Sequence, residues 1–292
     1  MDRFCVITNS DKDSNYETAN FVKEFLESKG KQCVITKNVL IKKADWEGYT
    51  DVTEIPEDTE CAIVLGGDGT IIQAANDLAY KDIPILGVNL GTLGFLTAIE
   101  KQDVESALLK LFDNRCVIEN RMMLKGEVYC DDKKITSSFA LNDFVVGKRG
   151  FFRLISIQVY VNEELVDTYI ADGIIISTPT GSTGYNLSAG GPVLAPDIKA
   201  MIITPICPHS LNNRSLVVSA EDKIVLKIGR SKARQPDEAV TISDGRMVMD
   251  IKTGDRIEIT KAVQETKIVK LTDTSFFDRL RNKLGQDKDD SN

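Results

Sequence analysis

Paired cysteines are the first thing missing. The six cysteines, Cys5, Cys33, Cys61, Cys116, Cys130 and Cys207, include no CxxC spacing. Neither a zinc site nor a disulfide framework is expected, and a reducing compartment is the natural setting. Three of them lie in apolar runs, where cysteine behaves as a small core residue. Histidine is scarcer still: His209 stands alone, which excludes a catalytic histidine pair. Positive charge is also short, with 36 Lys and Arg against 44 Asp and Glu for a net −8. No nucleic-acid partner is expected, because backbone binding rests on clustered Lys and Arg. An anionic nucleotide would need local backbone amides, a few basic side chains or a metal ion. Nothing approaches the about eighteen uninterrupted apolar residues of a membrane span. The start "MDRFCVITNS" lacks a signal peptide's layout. No membrane partner is expected, and the cytoplasm is the expected location.

What is present fits a globular chain. It has 292 residues, 42% hydrophobic and 27% charged, enough for one large or two modest domains. The first third alternates strand and helix. "RFCVITN" reads as a short strand, followed by a helix over "SNYETANFVKEFLESKGK". There Ser14 and Glu17 have capping-box spacing, Gly30 stands at C′, and Phe21, Phe25 and Leu26 form the apolar face. "QCVITK" reads as a second strand, and the polar stretch to Thr59 shows no clear period. "CAIVL" and "IPILGVN" are continuous apolar runs of strand length, as buried parallel strands require. A doubly wound α/β domain follows, over residues 1–120.

From about residue 121 the texture changes. "ISIQVYV" alternates, with Ile155, Ile157, Val159 and Val161 on one face, and "IVLKI" and "RIEIT" do the same. Asn162-Glu163, Asp244-Gly245 and Thr253-Gly254 supply turns. Residues 121–270 are therefore expected to form a mostly β second domain. Residues 271–292 supply a helix with Phe276, Phe277, Leu280 and Leu284 as its stripe, packing back on the first domain, and a disordered tail "QDKDDSN".

Two stretches carry the chemistry. "CAIVLGGDGTIIQAAND" places Gly66, Gly67, Asp68, Gly69 and Thr70 where a strand gives way to a helix. Open α/β sheets bind ligands at such carboxyl ends, and glycines with a helix N-terminus admit phosphate oxygens. A carboxylate there repels phosphate. It makes sense as a proton acceptor for an attacking hydroxyl, or as help in holding a metal. Equally, Asp68 could cap the helix in a tight turn. No P-loop Gly-Lys-Ser/Thr follows. The second stretch, "ADGIIISTPTGSTGYNLSAGGPVLAP", gathers Thr178, Thr180, Ser182, Thr183, Tyr185 and Ser188 among five glycines. So long a loop exceeds the usual connection of about four to six residues, and the functional reading is the stronger one.

Shorter features accompany them. Asn142 and Asp143 precede Lys148, Arg149 and Arg153; they form a turn, or an amide and carboxylate suited to a ribose diol. "PHSLNNR" carries His209, Asn212, Asn213 and Arg214, and a lone histidine there is better read as structural than as a base. Asp244-Gly245 is first a hairpin turn, and Arg246 is either solvated or a phosphate partner.

Together "GGDGT", "TPTGSTGYNLSAGGP" and "PHSLNNR", with Asn142-Asp143 and Asp244-Gly245-Arg246, resemble the ATP-NAD kinase family over nearly the whole chain. "GGDGT" alone also occurs in phosphofructokinases and in diacylglycerol and sphingoid lipid kinases; the long loop is far more specific. The resemblance implies phosphoryl transfer from ATP to the 2′-hydroxyl of the adenosine ribose of NAD, giving NADP. It makes Asp68 the proton acceptor and sets Gly69 against the nucleotide. Asn142 and Asp143 would contact the dinucleotide around the adenosine, with Arg153, Ile170 and Asp172 lining the same site. Thr183, Gly184, Tyr185, Asn186, Leu187 and Ser188, with Thr180 before them, would form the loop around the adenosine and its phosphates, and Arg246 would close the site. A divalent cation, magnesium carried with ATP, is implied, as is a homo-oligomer, a homotetramer in many members. The fold implied is an α/β domain of Rossmann-like, phosphofructokinase-like type plus a β-rich one. Two departures stand out: the family usually has Ala at Gly184 and often a basic residue at Ile170. A lipid or sugar kinase and a non-catalytic dinucleotide-binding regulator are the alternatives.

Overall fold

The computed structural model describes residues 1–43, 46–91, 94–97, 99–150, 153–210, 214–230, 237–271 and 275–285. The chain divides into two compact units: Met1–Asn120 joined by the residues from Thr266 onward, and Arg121–Glu265 between them. The return to the first unit comes at Thr266, inside the final strand.

In the first unit, continuous apolar runs become central strands. β1 (Arg3–Asn9) leads through helix α1 (Glu17–Ser28) to β2 (Gln32–Lys43) and β3 (Trp46–Thr50). Then come β4 (Cys61–Gly66), α2 (Asp68–Asp77), β5 (Ile85–Asn89), β6 (Ile99–Glu100) and α3 (Val104–Phe112). The strand order is β5-β4-β1-β2-β3. The pairs β5/β4, β4/β1 and β1/β2 are parallel, and β3 runs antiparallel to β2. β4 and β5 are buried at every position, as strands covered on both faces must be. The order reverses between β1 and β4, which opens a crevice at their carboxyl ends.

Some local expectations change. Ser14 does not cap α1; the carboxylate of Asp13 accepts from the Thr18 and Ala19 N–H groups (2.8 and 3.0 Å) and from the Thr8 hydroxyl (2.9 Å). Burial pushes the Asp13 carboxyl up, but those bonds win and hold it below the usual range. α1 buries Ala19, Val22 and Leu26, while Phe21 is exposed, one position off the buried stripe. Gly30 does end the helix with φ +72°. The stretch before Thr59 holds β3, and α3 buries Val104, Ala107, Leu108 and Leu111 at helical spacing. Cys5 and Cys61 are core residues whose thiols burial pushes up to about 12.

The second unit is almost all strand. β7 (Val117–Cys130), which begins in the first unit, is followed by β8 (Lys133–Ala140), β9 (Asp143–Lys148), β10 (Ile155–Val161), β11 (Glu164–Ala171) and β12 (Gly173–Ser177). The short α4 (Tyr185–Ser188) precedes β13 (Ala200–Ile206), β14 (Leu216–Ser219), β15 (Ile224–Ile228), β16 (Glu238–Ser243), β17 (Arg246–Lys252) and β18 (Arg256–Lys270). β14-β13-β12-β9-β16-β17 form one sheet. Its Phe144, Val146, Ile174, Ile176 and Met201 share a core with Ile155, Ile157 and Val159 of β10 and Ile257 and Ile259 of β18. Asn162-Glu163 and Asp244-Gly245 have both φ angles positive, as tight hairpins require. Asp131-Asp132 turns the same way between β7 and β8, a turn the sequence reading had not marked.

Helix α5 (Phe276–Gly285) belongs to the first unit. Phe276 meets the Phe95 ring at 6.4 Å, and Arg279 donates to the Phe95 carbonyl at 2.9 Å. Phe277, placed in the apolar stripe from the sequence, is exposed. The expected disordered tail lies outside the described residues. No helix among the described residues is long and apolar enough to cross a membrane.

Candidate active site

At the end of β4 the chain has room for glycine only. A Cβ on Gly66 would lie 2.3 Å from Thr70 Oγ1. Gly67 is the N-cap of α2, and no side chain caps that helix, so the capping reading of Asp68 falls. Asp68 instead occupies the first helical position and faces the segment after β5. Its Oδ2 accepts from the Phe95 N–H at 2.6 Å. Its Oδ1 accepts from the N–H groups of Leu96 and Thr97 (both 3.1 Å) and from the Thr97 hydroxyl (3.2 Å). Gly94 makes this approach possible, since a Cβ there would sit 1.8 Å from Asp68 Oδ1.

The Asp68 side chain lines a cavity of about 360 Å³ with Asn9, Lys12, Gly67, Gly69, Thr70, Gln73, Gly94 and Lys283. A larger groove of about 1180 Å³ runs past Phe21, Leu90 and Leu109. We place the chemistry in the smaller cavity, because it holds the glycine turn at the crevice between β1 and β4.

In the second unit, three chain segments meet at Asn142 and Asp143. The Asp244 carboxylate accepts from the N–H groups of Leu141, Asn142 and Asp143 at 2.7, 2.9 and 2.9 Å. From the long loop, the Thr178 N–H donates to the Asn142 carbonyl (2.8 Å) and the Thr178 hydroxyl to the Leu141 carbonyl (2.6 Å). Gly181 packs on the same backbone; a Cβ there would lie 2.2 Å from the Asn142 carbonyl oxygen. Asp143 itself is 6% exposed. Burial, and then the Asp244 charge, push its carboxyl up to about 7. A buried carboxyl perturbed in this way is a mark of functional sites.

The remaining candidates divide. Tyr185 and Ser188 are exposed, Thr183, Gly184 and Leu187 half-buried, and Thr180 buried with its hydroxyl near Arg121 Nη1 (3.4 Å). Asn186 requires correction. It is fully buried, and its amide donates to the Ser182 and Pro192 carbonyls (3.1 and 2.9 Å) while accepting from the Thr204 hydroxyl (2.7 Å). It braces the loop from within and offers no free amide proton to a ligand. Asp172 pairs with Lys148 at 2.5 Å. Ile170 and Arg153 are exposed, and Arg246 is half-buried at the start of β17. His209 is exposed and its N–H donates to the Ile170 carbonyl. Asn212 and Asn213 lie outside the described residues. The sequence reading missed Lys12, Lys283, the Phe95–Thr97 backbone and the carboxylate role of Asp244. Among the described residues no group of three His, Cys, Asp or Glu could hold a metal ion.

The family model for the ATP-NAD kinase N-terminal domain matches residues 4–116, and that for the ATP-NAD kinase C-terminal domain matches residues 141–271. The chain belongs to the ATP-NAD kinase family. An NAD kinase of Lachnoclostridium phytofermentans is 49% identical over 98% of this chain and 99% of its own. One of Lachnospira eligens is 42% identical, over 97% and 100%. The fold is shared with the yeast NADH kinase complexed with NADH, at a TM-score of 0.82 and 24% identity, covering 97% of this chain and 88% of that one. In this ATP-NAD kinase family member, a methyl group at Gly184 would lie 3.3 Å from the Gly181 carbonyl oxygen and 3.6 Å from Asn142 Nδ2. Alanine would fit there after a small adjustment and would touch Asn142.

Proposed function

We propose that the chain is an NAD kinase, transferring the γ-phosphoryl group of ATP to the 2′-hydroxyl of the adenosine ribose of NAD. The observation that carries this is the Asp68 carboxylate at the crevice between β1 and β4. An ionised carboxylate offers about four lone-pair sites. Three donors converge on Oδ1 and one on Oδ2, so the site left open is on Oδ2, and that atom takes the hydroxyl proton. The surrounding bonds fix its direction, which is the larger part of what phosphoryl transfer asks of a protein.

The first N–H groups of α2 have no intrahelical partner and are suited to phosphate oxygens. Asn142 and the buried Asp143 carboxyl suit a sugar diol, whose hydroxyls would supply donors. Magnesium enters as part of the ATP substrate, its charge spread over the phosphates. Family resemblance further supports a homo-oligomer, a tetramer, working in the cytoplasm; light scattering of the purified chain tests the assembly.

NADP formation from NAD, ATP and magnesium, read with an NADP-specific dehydrogenase, tests the assignment. Arms with NADH and with polyphosphate define acceptor and donor. Asp68→Asn is expected to lower turnover by on the order of 10²- to 10⁴-fold while NAD still binds. Full turnover in that variant would remove Asp68 from the chemistry, and no NADP from the parent chain would leave a dinucleotide-binding regulator.

A further inference from the structure

The cavity around Asp68 holds two cations that the reading of the glycine turn does not use. Lys12 lies in the segment just after β1, and Lys283 lies near the end of α5. Both line the same cavity as Gly67, Asp68 and Thr70. The Lys12 ammonium comes so near Gly67 that a Cβ there would be 3.1 Å away. Lys283 is held over the Phe95 ring at 5.2 Å. Neither lysine forms an ion pair with a described residue, although the chain has an excess of carboxylates to offer. The nearest carboxylate lining the cavity, that of Asp68, is turned to the Phe95–Thr97 backbone.

We infer that Lys12 and Lys283 form the clamp for the polyphosphate of the phosphoryl donor in the cavity beside the glycine turn. Two features support the placement. A doubly wound sheet collects anionic ligands where its strand order reverses, and Lys12 follows β1 at that point. In addition, α5 is tied to the Phe95 segment by the Phe276 ring and the Arg279 bond, so Lys283 is delivered by a braced helix. A chain of net −8 repels a triphosphate at long range, and local cations reverse that field where it counts. Lysine suits the task, as a point charge on a flexible stem that can follow a phosphate being transferred.

The inference rests on the kinase reading, and its test separates the two. Steady-state kinetics compare the parent chain with Lys12→Gln and Lys283→Gln. Each substitution is expected to raise KM for ATP about tenfold, as for losing a hydrogen bond to a charged group, and to leave KM for NAD unchanged. Arginine at either position restores part of the loss. A binding readout needs no turnover: inorganic tripolyphosphate raises the Tm of the parent chain and not that of the double variant. Unchanged KM for ATP in both variants, or an equal Tm rise in the double variant, overturns the clamp. A parent chain that makes no NADP yet is stabilised by tripolyphosphate through these lysines refutes the kinase reading and keeps the anion site.

Discussion

The Asp143 carboxyl gives the sharpest quantitative test. It is buried beside Asp244, and both burial and that charge oppose its ionisation, moving it from the ordinary 3.8 to about 7. In the unfolded chain the group ionises near 3.8; in the folded chain it keeps its proton until about pH 7. Between those values unfolding releases a proton, so stability falls as pH rises from about 4 to about 7. Above that window the full cost is present, and below it none.

At about 1.4 kcal/mol per pH unit the cost is at most roughly 4 kcal/mol. Asp143→Asn keeps the shape and removes the ionisation. Urea unfolding of the ligand-free parent and variant across pH 4.5 to 8 measures the difference. The variant is expected to gain on the parent as pH rises, by more than about 1.4 kcal/mol at pH 8, and to bind NAD more weakly. Most other titrating groups are common to both chains and cancel. A stability gap that is constant with pH, or a variant less stable at pH 8, would refute the reasoning.

Two further outcomes follow from close contacts. Gly94→Ala drives a methyl into the Asp68 carboxylate. It should cost about 1–3 kcal/mol by overpacking and cut NADP formation at least as deeply as a lost general base, both read on one purified sample; parental rates would sink the clasp. Asn186→Ala strands the Ser182 and Pro192 carbonyls inside the long loop and takes one partner from the Thr204 hydroxyl of β13, which keeps Ser215. About 2–3 kcal/mol should be lost, with a lower Tm in the absence of any nucleotide; an unaltered Tm would return Asn186 to the ligand-binding set.

The glycine turn was legible because a carboxylate among glycines at a strand end conflicts with a simple phosphate cradle, and the conflict points to chemistry. Continuous apolar runs likewise announced β4 and β5. What stayed hidden depends on distance along the chain. Asp68 meets partners 27 to 29 residues away, and Asp244 reaches backbone 101 to 103 residues away. In the sequence Asp244 shows only its turn. Lys12 and Lys283 carry no local pattern at all, and only the folded first unit sets them in one cavity. Asn186 misled because a polar residue in a glycine-rich loop looks the same whether it faces a ligand or fastens the loop. Ser14 misled similarly: its spacing to Glu17 was right, but Asp13, one residue earlier, reaches the free N–H groups.

The Phe95–Arg279 bond joins residues 184 positions apart, which orders events during synthesis. While the nascent chain is threaded out, Asp68 and its glycines emerge early and can fold with the segment that holds them. Their brace, and one of the two cations beside them, are made only after the whole of the second unit. A chain stopped before that helix would thus carry the Asp68 carboxylate without the brace that steadies its setting, and ATP would find it a poor host until the helix had followed.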